Sequence, residues 1–522
     1  MQPSDSSQNE LPTTFSVWSG ISMGWNTINS FRGLSFMLFI GLAAGGLPGL
    51  LYGFIGCSVG VMSLTLVLAE CSSRFATAGG AYHFATFLIP PKYRRGSAYV
   101  LGWFNYLGWT LTHASCCAVV STLILALVNL CAPDYDVSVR WQLFQVYIGV
   151  ATYAWLFNIF GLRWIPALEL LGTWATVLGF LTFTVVLLAV ALKASARSVL
   201  VDVNNDTGYS SSSLAVFLGL YNSMATLMAV DGPTHLAEEL AQPKRVMPRM
   251  LIITVSSQCV VGIVWILVLG FSLVDLQSAL DTATGVPITE LVQQATGSTA
   301  AAIVFCLALL IHCGTSAVAS ATTSSRQGYA FARDGGMFCN HKLAEISPRF
   351  QLPLWSIHLP YGITAVVGIV YLFSHTAFNA LVGGQSAFMT VSCGCPALIL
   401  LLTRRRTLPP SDHGHGQWTL GPWADATYTV AVGYAVLVIA VVFIPQSHPV
   451  TSTSMNYTVL IVGAFLIVMG ITWILEGRRT FHPPAKDPQR EVLQGEVVLE
   501  ELGMGGEGDG KGKGMRVDEE KM

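Results

Sequence analysis

The residues best placed to do chemistry in this chain are the ones that interrupt its apolar runs. The clearest interruption ends the run 214–240, where Leu214 to Val230 leads into Asp231-Gly232-Pro233-Thr234-His235-Leu236-Ala237-Glu238-Glu239. An ionisable group at membrane depth is costly and is a functional candidate by default. Proline removes a backbone donor and clashes with the preceding turn, and glycine loosens the chain beside it. Asp231 suits a helix N-cap and Pro233 the first turn of a new helix. The spacing predicts a helix, a break at about 230–233, and a second half-helix. Freed N–H and C=O groups at such a break face a cavity and can receive a charged solute. Asp231 and Met228 are therefore candidate binding residues. The alternative is a proline kink with Asp231 in a purely structural hydrogen bond.

The run 17–42 is interrupted in a similar way. Gly20-Ile-Ser-Met-Gly24-Trp-Asn26-Thr27-Ile-Asn29-Ser30-Phe-Arg32-Gly33 is too polar and glycine-rich for a lipid-facing helix. Unwinding near 26–33 would offer Asn26, Asn29 and Ser30 to the ammonium and carboxylate of a solute; glycine-mediated helix packing is the bland alternative. The third run adds Trp103, Phe104, Asn105, Trp109 and His113, with Trp103 the candidate face for a cationic group and core packing the commoner fate of such rings. In the eighth run, Thr315, Ser316 and Ser320 are candidate hydroxyl ligands for a sodium ion, or simply helix-packing residues. Glu238 and Glu239 fall at the end of the second half-helix. There they are expected to form a breakable gate with a basic residue, Arg74 or Arg333, unless they are solvated helix-end charges.

These groups need a scaffold, and composition says which kind. Of 522 residues 52% are hydrophobic and 11% charged, against roughly 25% charged in soluble proteins. The last 46 residues hold 18 of the 56 charges, leaving about 8% in the first 476. Mean hydropathy is +0.58. Such a chain cannot cover a water-exposed surface, so its partner is the lipid bilayer. At about 20 apolar residues per crossing, twelve runs can be read between Val17 and Leu475. Two interrupted runs at corresponding places, first and sixth, suggest a five-plus-five inverted repeat. The expected fold is therefore an all-α polytopic membrane protein of about twelve transmembrane helices, with helices 1 and 6 broken and two further C-terminal helices. Its parts are a cytoplasmic tail 1–15, repeat one 16–192, repeat two 213–402, helices 11–12 over 427–475 within a transporter domain 16–476, and a disordered cytoplasmic tail 477–522.

Alternate loops carry most of the Lys and Arg, among them Arg94, Arg95, Lys244, Arg245, Arg326, Arg333 and Arg404–Arg406. That asymmetry puts them, and both termini, in the cytoplasm. Asn205-Asp206-Thr207 then lies outside as a glycosylation sequon at Asn205. A net charge of −2 gives no electrostatic footprint for nucleic acid. The eleven cysteines sit mostly inside apolar runs without metal-site spacing, and the polar first fifteen residues predict no cleaved signal peptide.

Several strings resemble motifs of a known family. They include Ala76-Thr77-Ala78-Gly79-Gly80-Ala81-Tyr82-His83, Gly102-Trp103-Phe104-Asn105, and Asp231-Gly-Pro-Thr-His235-Leu-Ala-Glu238-Glu239 with the following Pro243-Lys244-Arg245-Val-Met-Pro248-Arg249. Arg326-Gln-Gly-Tyr-Ala-Phe-Ala-Arg333-Asp334-Gly335 and Met455-Asn-Tyr-Thr follow in order. The chain, from about 15 to 479, resembles fungal amino acid, choline and GABA permeases of the amino acid–polyamine–organocation superfamily. The resemblance implies the twelve-helix inverted-repeat fold and alternating-access transport. Two departures stand out. Relatives often carry a lysine after the proline of the fifth run, where its ammonium substitutes for a coupling sodium; here Pro166-Ala167-Leu168-Glu169 has alanine, then an acid. The tenth run has Ser392-Cys-Gly-Cys395-Pro396 where a tyrosine is usual.

The expected function is secondary active transport of a small amine-bearing solute: an amino acid, GABA, choline or a related metabolite. The alternatives are a transporter-like nutrient sensor and a transporter serving a specialised biosynthetic pathway. No enzymatic activity and no cofactor are expected. The coupling ion, H+ or Na+, and the oligomeric state stay open, and so does the choice between the plasma membrane, the first expectation, and a vacuolar or other internal membrane.

Overall fold

The structure is a computed structural model that describes residues 16–273, 278, 282–410, 417–452 and 454–483. The expected tail 1–15 and most of 477–522 lie outside the described residues.

Each long apolar run folds as a helix because only a helix satisfies every backbone group within its own segment in lipid. Among the described residues ten helices are long and apolar enough to cross a membrane. Two more crossings are built from shorter pieces. The first is α1 (Val17–Thr27) followed by α2 (Ser30–Ala43). Then come α3 (Gly46–Arg74), the short α4 (Gly80–Leu88), α5 (Pro91–Cys131), α6 (Arg140–Phe160) and α7 (Ile165–Val190). The sixth crossing is α8 (Ser212–Thr226) plus a 3-10 segment, Gly232–Glu239. After it follow α9 (Pro243–Ser272), the short α10 (Pro287–Thr296), α11 (Thr299–Arg333), α12 (Leu354–Phe373) and α13 (His375–Leu402). The last two crossings begin at α14 (Ala424–Phe443) and α15 (Thr458–Thr472). The molecule is a polytopic all-α membrane protein.

The packing repeats itself across the two halves. Helix α3 packs on α9, α5 on α11 and α6 on α12, each against its counterpart in the other half. Contact of α11 with α7 is mirrored by contact of α5 with α13. The short helices α4 and α10 occupy matching places after the second and seventh crossings. Outer faces are apolar and exposed, as lipid requires: Leu171, Trp174, Leu178, Leu181, Val185 and Leu188 line one side of α7. Inside, Phe31 meets Trp265 at 4.7 Å and Phe183 meets Phe305 at 4.6 Å, tying α2, α7, α9 and α11 through tilted and edge-on rings.

One boundary differs from the sequence reading. Residues 478–483, expected to belong to the tail, pack onto the bundle. Phe481 is fully buried against Tyr99 and Phe331, the Arg95 guanidinium donates to Phe481 O at 2.8 Å, and His482 N–H donates to Asp334 O at 2.9 Å. The tail from 477 reads as disordered because it is rich in Gly, Glu and Lys with few aromatics, yet the Phe481 ring near its start is what docks this stretch.

Candidate functional site

Both expected breaks are present, and they meet. Helix α1 ends at Thr27. Ile28 is extended, with φ −102° and ψ 115°, and Asn29 caps α2 by accepting from Arg32 N–H at 2.7 Å. In the sixth crossing the helix stops at Thr226, so the break spans 227–231 and begins earlier than Val230. Ala229 is left-handed at φ 69°, a conformation that costs a non-glycine residue of order 1–3 kcal/mol and persists where the surroundings enforce it. Pro233 does not break the helix; it opens the next one, where its missing N–H costs nothing. The two breaks are in contact: a Cβ at Gly232 would lie 3.0 Å from Thr27 Oγ1, and one at Gly24 would lie 2.9 Å from Pro233 Cγ.

Asp231 sits at this crossing with its side chain fully buried. It occupies the N-cap position of the 3-10 segment, but its carboxylate makes no cap bond. That corrects the capping role expected for its side chain. Thr234 instead satisfies the turn, donating from its hydroxyl to Asp231 O at 2.6 Å. The carboxylate is thereby free to turn inward: Asp231 Oδ2 accepts from Asn105 Nδ2 at 2.9 Å and lies 3.2 Å from His235 Nε2. Asn105 also donates to Ser392 Oγ at 3.0 Å, linking α5 and α13 to the acid. On the other side of the ring, His235 Nδ1 is 2.7 Å from Ala78 O. A carbonyl only accepts, so Nδ1 carries the proton there. For Nε2 and Asp231 also to form a hydrogen bond, one further proton must lie between them. Trp109 packs edge-on against His235, with ring centroids 5.8 Å apart.

The end of the bundle that holds Arg333 is sealed by layers of polar contacts. Arg333 grips Glu238 with two nitrogens, at 2.9 and 3.2 Å, and both side chains are partly exposed. Beneath them Arg326 Nε donates to Glu239 Oε1 at 2.7 Å, with side-chain exposures of 1% and 2%. Asp334 accepts from Tyr82, and His83 Nε2 lies 2.7 Å from its carboxylate, which closes α4 against the end of α11. The two adjacent glutamates thus face different basic partners. Arg74 meets neither in this structure: it donates to Gln417 Oε1 at 2.7 Å and to Ser73 Oγ at 3.2 Å. Arg326, counted from sequence as a loop charge, lies inside because α11 continues beyond Ser320 to Arg333.

On the far side of the breaks from that seal lies a cavity of about 130 Å³, room for about four waters at ~30 Å³ each. Thr27, Asn29, Arg32, Met228, Gln385 and Ser386 are among the side chains lining it. A larger cavity of about 550 Å³ between α5, α6, α7 and α11 is walled mainly by Val, Ile and Leu, with Tyr153 and Thr315 its polar side chains and no charged group, so it suits an apolar occupant better than a charged solute.

The remaining sequence candidates take other places. Trp103 does not face the break. It packs with Tyr99, Tyr106, Phe331 and Phe338 near the sealed end, and Trp109 is the aromatic at the crossing. Asn26 is fully buried and donates to Glu169 O at 2.8 Å and to the Glu169 carboxylate, so it ties α1 to α7 instead of facing the cavity. Ser30 N–H donates to Gln258 Oε1 at 2.8 Å, which holds α2 to α9. Thr315, Ser316 and Ser320 each have a hydrogen-bond partner of their own. Thr315 and Ser320 donate to their own helix, at 2.7 Å to His312 O and 2.9 Å to Ser316 O, and the Ser316 hydroxyl accepts from Arg32. Asn205 is half-buried, with Nδ2 donating to Tyr209 O at 2.8 Å and Oδ1 accepting from the Thr207 hydroxyl at 2.7 Å. Cys393 and Cys395 are free thiols.

Two broken helices crossing mid-bundle, a buried acid at the crossing and a closed polar seal at one end define the architecture of a membrane transporter. The chain belongs to the amino acid permease family, whose model matches residues 15–465. It is 30% identical to a choline transporter of Saccharomyces cerevisiae over 475 residues, 90% of this chain and 83% of that protein. It is 26% identical to a putative amino acid/polyamine transporter of Macrophomina phaseolina, covering 84% and 96%. A 7-keto 8-aminopelargonic acid transporter of Saccharomyces cerevisiae is 22% identical, covering 90% and 93%.

Proposed function

We propose that the protein is a secondary active transporter that moves a small amine-bearing solute by alternating access. One observation carries the reading: the two broken crossings touch at Gly232 and Pro233, next to the buried Asp231, sealed toward Arg333 and hollow on the other side. A site that one end can reach while the other is closed is what alternating access requires. The sealed end is the cytoplasmic one, argued from the Lys and Arg of the loops. In the closed state Glu238–Arg333 and the buried Glu239–Arg326 pair hold the second half of the sixth crossing against α11. Opening inward must break at least the outer pair. That pair is partly exposed, and such pairs are worth only about 0–1 kcal/mol, so breaking it each cycle is inexpensive.

Asp231 takes part in solute recognition or holds the break open for it, through its contacts with His235 and the amide of Asn105. The related transporters are named for choline, for amino acids or polyamines, and for an amino-bearing acid, a range that fits an amine-bearing solute here. The test is an uptake and export screen over labelled amines and amino acids in a host lacking its own permeases. Solute movement that depends on this chain supports the proposal; a signalling defect on deletion with no change in any solute's flux favours a sensor.

A further inference from the structure

Arg32 is the single charged side chain lining the cavity beyond the breaks. It sits in the first turn of α2, three residues after the Asn29 cap, where the aligned peptide dipoles already place positive potential and disfavour a cation. It is half-buried, and its contacts are neutral: Nη1 donates to Ser316 Oγ and Nη2 reaches Thr27 O at 3.4 Å. Among the described residues no carboxylate lies within ion-pair distance of it. A guanidinium held at membrane depth without a counter-charge is expensive unless function uses it. The buried acids are all engaged elsewhere: Asp231 with His235 and Asn105, Glu239 with Arg326, Glu169 with Asn26, and Glu70 with Arg405 and Tyr428.

We infer that Arg32 is a specificity-determining residue that pairs with a carboxylate on the transported solute, so that the site selects amine-bearing acids over solutes that are only cations. A guanidinium binds a carboxylate through charge-assisted hydrogen bonds, bidentate where geometry allows. The Met228–Ala229 stretch, the hydroxyls and Gln385 are left for the rest of the molecule. A quaternary ammonium solute such as choline would sit beside an uncompensated positive charge, with no aromatic ring among the lining side chains except Phe36 to offset it. The inference rests on the transport reading above and narrows its substrate class.

The test compares amine solutes that carry a carboxylate with amine solutes that lack one. Uptake of the common amino acids and 4-aminobutyrate is compared with that of ethylamine, propylamine and choline, in cells expressing wild type, Arg32→Gln or Arg32→Lys. Surface abundance is measured alongside, and thermal stabilisation of the purified proteins by the same solutes gives a second readout. Wild type is expected to carry or be stabilised by carboxylate-bearing solutes and not by the three others. Arg32→Gln keeps a polar amide on a shorter side chain but removes the charge and the two guanidinium donors to Ser316 and Thr27. It should raise KM for the acid about 10–100-fold at normal surface level, with partial recovery in Arg32→Lys. Choline or an alkylamine carried as well as the acids, or acids handled equally by Arg32→Gln, overturns the inference while leaving transport intact. Stabilisation by an acid that requires Arg32, without uptake of any solute, upholds the inference and overturns the transport reading. Uptake of choline or an alkylamine with no acid carried overturns the inference and upholds transport, and neither uptake nor stabilisation by any solute of the panel overturns both.

Discussion

Glu238 and Glu239 are neighbours in sequence, yet the same substitution at each should have unequal consequences. Glu239→Gln leaves Arg326, whose side chain is 1% exposed, as a buried guanidinium with its acid removed. Breaking a buried pair by deleting one partner costs about 3–5 kcal/mol, because the remaining charge has lost both water and counter-charge. Glu238→Gln disrupts a pair whose side chains are 25% and 34% exposed, for which about 0–1 kcal/mol is expected. With an unfolding entropy of ~2.1 cal/mol/K per residue, the roughly 450 described residues give about 1 kcal/mol per degree. The midpoint of thermal unfolding in detergent should thus fall by about 3–5 °C for Glu239→Gln and by at most about 1 °C for Glu238→Gln. Tryptophan fluorescence of the purified protein reads both. The double change Glu239→Leu with Arg326→Met should recover part of the loss, since apolar replacements remove the stranded charge. Equal shifts for the two single variants, or a double variant no better than Glu239→Gln, would refute the assignment of Glu239–Arg326 as the buried strut and Glu238–Arg333 as the labile latch.

Asp231→Asn keeps the size of the side chain and the hydrogen bond from Asn105 but removes the charge that holds a proton with His235; uptake should fall by at least tenfold across pH at unchanged surface abundance. Trp109→Ala should alter solute KM, whereas Trp103→Ala should leave KM near wild type and lower thermal stability by about 3–5 kcal/mol as its ring cluster is lost; KM measurements with thermal melts separate the two. Gly24→Val should sharply reduce folded yield, because a Cβ there would stand 2.8 Å from Thr254 Oγ1 and 2.9 Å from Pro233 Cγ. Gly56→Val, with nothing within 4 Å, should express normally by fluorescence-detected chromatography. Cysteines placed at Arg404–Arg406 should be labelled from the cytoplasmic side alone; labelling from outside intact cells would invert the orientation.

Crossings and breaks are legible in this sequence because lipid leaves a chain few options. Gly-Pro-acid inside an apolar run has few other meanings, and even so the break falls earlier than Pro233 suggests. A proline fits the start of a helix better than its middle, so the chain must leave the α conformation before reaching it. Which aromatic faces the solute is not legible. Trp103 and Trp109 lie on one helix, about 240° apart at ~100° per residue, and only the neighbours α11 and α13 decide which face is central. Arg326 eluded the sequence reading because α11 runs on through small polar residues that look like a loop. Arg32 lay in plain view within a polar stretch, but its lack of an acidic partner is a fact about the helices folded around it.

The packing of residues 478–483 has a practical consequence for handling the protein. Phe481 and His482 are stitched to the turn after α11, beside Asp334 and a few residues from the Arg333 latch. A truncation that keeps the fifteenth helix but stops at Gly477 would strip the ring from its seat between Tyr99 and Phe331. It would also leave the Arg95 guanidinium without the two carbonyls, Phe481 O and Arg478 O, to which it donates. A purification tag joined there would hang at the mouth of the seal, whereas one joined after residue 484 leaves the anchor intact.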